Sequence, residues 1–208
     1  MDYRFVGKPV IRKDAIEKVT GQAKFGADID FPGQLYGAVC RSPYPHARII
    51  SINTEKAKKL PGVRVIVTGK DSPLLYGQFI EDQPVIAFDK VRYQGEPVAL
   101  VAAEDLQTAQ EAVRLIEVEY EPLPVVNSIE EALSNKTLLH EDWSKYHVSA
   151  ACHPIQNTNI GDTFTLRKGD VEQGFQESDL VIENSFSCSM LQHTTIEPHT
   201  ATAQVNNA

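Results

Sequence analysis

The residues best suited by type to do chemistry are His193, Glu197 and His199, two imidazoles and a carboxylate within seven positions. Such a set could ligate zinc. The spacing is not H-E-x-x-H, however, and Pro198 stops a regular helix from presenting the groups on one face, so a hydrogen-bonded structural cluster is the simpler expectation. Arg41, in Arg41-Ser42-Pro43-Tyr44-Pro45-His46, could hold a small anion; the plainer reading is a rigid turn whose Arg pairs with a carboxylate. Cys40 beside Arg41 invites a lowered thiol pKa, but its apolar neighbours point to burial. Glu117, Glu119 and Glu121 alternate and could serve as acid and base, although an exposed strand face accounts for them more simply.

Other signatures are missing. There is no G-x-G-x-x-G behind a strand, no G-x-x-x-x-G-K-[ST] and no G-x-S-x-G, hence no nucleotide loop or nucleophile elbow. The three cysteines, Cys40, Cys152 and Cys188, never stand at C-x-x-C spacing. That disfavours a disulfide framework, a zinc site or an iron–sulfur cluster within these residues. The sequence thus assigns no catalytic, cofactor-binding or metal residue between positions 1 and 208.

The elements that would position these groups follow from pattern. Residues 1–34 read as an extended arm, with Gly7, Pro9 and the turn signal Phe31-Pro32-Gly33. Residues 35–40 form a strand stopped by Pro43 and Pro45. Strand 48–52, short helix 54–60 and strand 63–67 make a small α/β element, and 69–90 is irregular. Apolar run 98–102 reads as a strand buried on both faces. A helix opening at Glu104-Asp105 places Leu106, Ala109, Val113 and Ile116 on one stripe. Residues 117–121 alternate as a half-exposed strand, and Ser128-Ile129-Glu130-Glu131 is a capping box.

From 134 to 164 periodicity fades, which predicts a linker or wrapping segment at a domain boundary. Beyond it lie a helix at 171–175 and a strand at 180–189. Residues 165–208 cannot bury a core unaided, and no closing element is read at 205–208, so the expectation is a chain cut inside a second domain.

Composition agrees with a soluble, cytoplasmic protein: 42% hydrophobic residues, 23% charged, no long apolar run and a polar start at Met1-Asp2-Tyr3-Arg4. The net charge of −8 is uneven, with 13 Lys and Arg against 6 Asp and Glu in residues 1–70. The basic residues are scattered, which argues against nucleic acid as a partner.

An ordered string of segments carries a resemblance. It runs Val6-Gly7-Lys8-Pro9, Arg12-Lys13-Asp14-Ala15, Lys18-Val19-Thr20-Gly21-Gln22-Ala23, Asp28-Ile29, Leu35-Tyr36 and Arg41-Ser42-Pro43-Tyr44-Pro45-His46-Ala47. It continues with Pro61-Gly62-Val63, Val91-Arg92-Tyr93-Gln94-Gly95-Glu96-Pro97-Val98-Ala99 and Val118-Glu119-Tyr120-Glu121-Pro122-Leu123-Pro124. Gly169-Asp170-Val171 and Glu197-Pro198-His199 close it, with Ile196 where many relatives have Met. The string resembles the large, molybdopterin-binding subunit of the xanthine dehydrogenase/aldehyde oxidase family. No single piece is specific, but together they span nearly the whole chain.

The resemblance implies an α+β fold: an extended arm at 1–14, an α/β-hammerhead domain at 15–135, a linker at 136–164 and the truncated start of a molybdopterin-binding domain at 165–208. It implies a molybdenum hydroxylase that inserts water-derived oxygen into an N-heterocycle or aldehyde. Electrons would pass to iron–sulfur and FAD partner domains or subunits. The family's cofactor contacts and catalytic Glu lie beyond Ala208, so these residues alone are expected to be inactive and free of bound molybdopterin. A carbon monoxide dehydrogenase type large subunit and a free-standing hammerhead scaffold module are the alternatives.

Overall fold

The structure is a computed structural model describing residues 3–205. Its contacts divide into two compact units, residues 3–32 with 172–205, and Gly33–Val171. Met1 and Asp2 of the polar start, and the open end expected over 206–208, lie outside the described residues.

The first stretch is not wholly extended. Helix α1 (Ala15–Val19) forms inside the residues expected to be extended. Local pairs hold it: Lys18 Nζ lies 2.7 Å from the Asp14 carboxylate one turn back, and Thr20 Oγ1 donates to the Ile16 carbonyl at 2.7 Å. A single 3-10 turn follows at Gly26–Asp28.

In Gly33–Val171 the strands β1 (Tyr36–Arg41), β2 (Ala47–Asn53) and β3 (Val63–Thr68) and helix α2 (Glu55–Lys58) lie where expected. The irregular span contributes three two-residue strands, β4 (Leu75–Tyr76), β5 (Gln83–Pro84) and β6 (Lys90–Val91). Then come β7 (Pro97–Ala103), helix α3 (Leu106–Arg114), β8 (Glu117–Pro122) and helix α4 (Ile129–Leu133).

The sheets have the orders β1-β7-β3 and β6-β2-β8, with β4 and β5 as a separate ribbon, and every named pair is antiparallel. Both strand–helix–strand elements therefore cross from one sheet to the other rather than forming a parallel pair. A parallel return needs a crossover of roughly a dozen residues or more, which α2 and its short flanks do not supply.

Strand β7 is central because its sequence is apolar on both faces. Val98, Ala99, Val101 and Ala103 are at most 2% exposed, and Ala109 and Ala112 of α3 are fully buried. Burying a side chain such as Val98 is worth about 1.5–3 kcal/mol. The buried stripe of α3 runs through Ala109 and Ala112 and is continued by Ile116 just past the helix; Leu106, expected on it, is 49% exposed. Asp105 caps α3 by accepting the Thr108 amide at 2.8 Å, and Ser128 caps α4 by accepting the Glu131 amide at 3.1 Å.

Residues 136–161 pack back over 79–92. Trp143 is 5% exposed, and its indole N–H donates to the Thr158 carbonyl at 3.0 Å. Asn159 Nδ2 donates to the Ala132 and Thr137 carbonyls, its Oδ1 accepts the Leu139 amide, and its own amide donates to Asn135 Oδ1. The Glu81 amide donates to the His147 carbonyl and the Ser149 amide to the Phe79 carbonyl.

Beyond Gly169, whose φ of +71° suits only glycine comfortably, helix α5 (Val171–Glu177) forms as expected. The strand expected at 180–189 does not. No ladder partner reaches it among the described residues, and Leu180, Ile182 and Phe186 remain at least 74% exposed. A strand needs a neighbour to satisfy its backbone, and here pattern alone supplies none.

Candidate functional site

The Arg41 loop is a structural lock. A bulge between Cys40 and Arg41 interrupts the β1–β7 register, and Arg41 Nη1 donates to the Gly95 carbonyl at 2.9 Å. The Ser42 amide donates to the Glu96 carbonyl and the Gly95 amide to the Ser42 carbonyl, each at 2.9 Å. Arg41 thus meets a backbone carbonyl where a carboxylate was expected. Its loop and the Tyr93–Glu96 turn satisfy each other's backbone. Cys40 is buried, which pushes its thiol up and away from a reactive thiolate.

The three alternating glutamates each have a separate partner on β2 or α2. Glu117 pairs with Lys56, Glu119 accepts the Ser51 hydroxyl at 3.2 Å, and Glu121 lies 3.8 Å from Arg48 Nε. They share no proton and form no acid–base pair. His46 is 3% exposed; its Nδ1 stands 2.6 Å from the Pro124 carbonyl and must therefore carry the donated proton. The Leu123 amide donates back to the His46 carbonyl, so this residue pins the chain leaving β8.

A polar knot that sequence reasoning does not pick out joins β6 to the 136–161 segment. The Lys90 side chain is 6% exposed and its ammonium meets Glu141 at 2.5 Å. Arg92 Nε donates to the Leu139 carbonyl, and its amide donates to the buried Glu96 carboxylate at 2.6 Å. Burial pushes Glu96 above the usual carboxylate range. His140 stacks on Trp143 with ring centroids 5.1 Å apart. Its Nδ1 lies 3.0 Å from the Tyr146 hydroxyl and its Nε2 3.5 Å from Asp82. A neutral imidazole satisfies both contacts, accepting from Tyr146 and turning its N–H toward Asp82. Burial first, then the nearby Arg92 and Lys90 charges, push His140 down to about 4. The dense charge in Asp89-Lys90-Val91-Arg92, set among apolar residues, is the signal available in the sequence. The knot's groups meet one another, so it acts as a clasp.

His193, Glu197 and His199 are exposed, and no group of three or more His, Cys, Asp or Glu among the described residues is placed to hold a metal. Glu197 does have a distant partner: its Oε1 accepts the Gly26 amide at 3.3 Å. Every described residue from 162 onward is exposed. These residues therefore offer no walled cradle for a pterin.

An α+β domain of two antiparallel sheets, locked by paired loops and followed by an exposed segment, is what the comparisons with known proteins match. Residues 20–124 match the family described as aldehyde oxidase and xanthine dehydrogenase, a/b hammerhead domain. Residues 152–208 match the molybdopterin cofactor-binding domain. The chain belongs to the aldehyde oxidase and xanthine dehydrogenase family. A probable xanthine dehydrogenase subunit of Bacillus subtilis is 44% identical over 92% of this chain. The nicotinate dehydrogenase large molybdopterin subunit of Eubacterium barkeri is 38% identical over 99% of it. The crystal structure of quinoline 2-oxidoreductase from Pseudomonas putida superposes with a TM-score of 0.59 at 38% identity, covering 64% of this chain and 18% of that one. The chain spans 24% and 46% of the lengths of the first two relatives. No helix among the described residues is long and apolar enough to cross a membrane.

Proposed function

We propose that these residues serve a cytoplasmic molybdenum hydroxylase as the leading part of its molybdopterin-binding subunit. In the whole enzyme, water-derived oxygen is inserted into an N-heterocycle or aldehyde, and electrons leave through iron–sulfur and FAD partners. The division proposed is an arm at 1–14, the hammerhead domain at 15–135, a linker at 136–164 and the start of the cofactor domain from 165. Residues 1–208 contribute no catalytic, cofactor-binding or metal-ligating side chain; their part is to brace the domain that does. The observation that carries this reading is the order of the two matches, hammerhead at 20–124 and then cofactor domain at 152–208. Relatives named as a dehydrogenase subunit and a large molybdopterin subunit align across nearly the whole chain.

The test is elemental and kinetic. The 208-residue chain, purified from cells that make molybdopterin, is expected to hold far less than one molybdenum per chain. It is expected to show no turnover of N-heterocycles or aldehydes with a dye acceptor. Stoichiometric molybdenum in that preparation would overturn the assignment of a bracing role.

A further inference from the structure

Two segments far apart in sequence meet in the unit formed by residues 3–32 and 172–205. One is the turn Phe25-Gly26-Ala27-Asp28, closed on itself: the Phe25 amide donates to the Asp28 carboxylate at 3.0 Å, and the Asp28 amide to the Phe25 carbonyl at 2.9 Å. The turn leaves the Gly26 amide pointing outward, and the Glu197 carboxylate takes it, 171 positions along the chain. The second contact is steric. A Cβ on Gly26 would run into Thr200 Oγ1 and stand 3.3 Å from Thr200 Cβ, so a larger residue at 26 obliges the Thr200 side chain to turn away from the turn. A hydrogen bond and a close side-chain contact, from different atoms of the same two segments, make one seat.

The approach of Glu197 is itself shaped. Thr194 is a β-branched residue at φ +50°, a conformation such residues rarely adopt. Immediately after it, Thr195 Oγ1 donates to the Glu197 carbonyl at 3.1 Å. The turn 194–197 is thus wound so that the Glu197 side chain reaches Gly26.

We infer that Phe25–Asp28 is a docking turn for the chain's own Glu197–Thr200 segment, with Glu197 as the positioning residue. Residues 15–32 then have a double membership. By sequence most of them fall within the hammerhead match, yet physically they are held by the cofactor-domain segment. The Phe25–Asp28 turn is a component that the unit of residues 3–32 and 172–205 needs in order to close. This inference does not rest on the enzymatic reading; it concerns only how the chain holds itself.

The experiment uses the 208-residue chain and two readouts: exchange of the Gly26 amide by NMR, and tryptic cleavage after Lys24, which enters the same turn. Glu197→Ala should speed both by about three- to tenfold, the effect of losing one charge-assisted hydrogen bond at an exposed site. Cleavage after Lys145, in the other unit, should not change. Glu197→Gln keeps an acceptor oxygen and should fall between wild type and Glu197→Ala. Gly26→Ala should speed cleavage after Lys24 as much as Glu197→Ala does, and adding Thr200→Ala, which removes the colliding hydroxyl, should restore part of the protection. A general loosening of the arm would not respond to Thr200→Ala. Unchanged exchange and cleavage in Glu197→Ala would overturn the proposal, as would Gly26→Ala that Thr200→Ala fails to relieve.

Discussion

The Gly33–Val171 unit and the 172–205 segment carry similar apolar side chains and use them in opposite ways. In the first, Val98, Val101 and Trp143 are at most 5% exposed and each faces a neighbour. In the second, Leu180, Ile182, Phe186, Met190 and Leu191 are at least 74% exposed. The first unit has a central strand buried on both faces and helices or straps to cover it. The second has one short helix and no sheet among the described residues. Hydrophobic residues stabilise a fold only when another surface removes them from water. Apolar content therefore says little about order until the matching face is identified.

The largest expected effect tests that contrast directly. Trp143→Ala should lower the unfolding free energy of Gly33–Val171 by about 3–5 kcal/mol, because it empties a packed site and orphans the Thr158 carbonyl. Phe186→Ala, an aromatic deletion of comparable size, should change it by no more than about 0.5 kcal/mol. Urea titration followed by circular dichroism reads both. Equal effects would erase the distinction between the two regions.

Asn159→Ala comes next, at about 2–3 kcal/mol. It removes two donated bonds and one accepted bond, leaving the Leu139 amide and two carbonyls to find water. Asn159→Asp should lie close to Ala, since a carboxylate keeps the acceptor for Leu139 but cannot donate to Ala132 or Thr137. The same titration decides it.

What can be read from the chain follows the same divide. β1, β2, β3, β7, α3 and β8 are legible because each is a local pattern that burial rewards: alternation, an apolar run or a capped stripe. The β2–α2–β3 element is legible as elements but not as topology, because which sheet receives each strand depends on partners distant in sequence. The clasp of Lys90, Arg92, His140 and Glu141 escapes sequence reasoning for that reason too: its members lie some fifty positions apart and only the fold brings them together. The 180–189 segment reads as a strand and is not one, because alternation is present without a partner. At the site, Glu197 stands out in the sequence as one member of a His193, Glu197 and His199 cluster, whose simpler reading is a hydrogen-bonded group formed among near neighbours. Its actual partner is a backbone amide from the first thirty residues. No spacing rule connects positions 26 and 197.

A pH series sharpens the comparison with a smaller effect. His140 titrates at about 4 in the folded chain, below its ordinary 6.5. Between those values the unfolded chain takes up a proton that the folded chain refuses. Stability of Gly33–Val171 should therefore fall as pH drops from about 6.5 toward 4 and lose no more from this group below it. Asp82, which burial pushes upward, works in the opposite sense at the acid end, so the wild-type curve alone does not isolate the histidine. His140→Phe keeps the stack on Trp143 and removes the titration, so its urea midpoint should be flatter across that window. An equally steep curve would place the pH dependence elsewhere.

The smallest effect lies in the other region and should be invisible to any global measurement. Thr194 holds φ +50° beside the segment that reaches Gly26. Asparagine tolerates that conformation better than a β-branched residue, because its side chain leaves Cβ unbranched and can bond locally. Thr194→Asn should therefore favour the docked turn, by about threefold in Gly26 exchange if roughly 0.6 kcal/mol of backbone strain is relieved. The urea midpoint should not move, since 172–205 contributes no core to that transition. Slower exchange with an unchanged midpoint would show that the tie between arm and tail is a local equilibrium, separate from the cooperative unit. A shift in the midpoint would show instead that the two regions unfold together, and the contrast drawn from their burial would have to be given up.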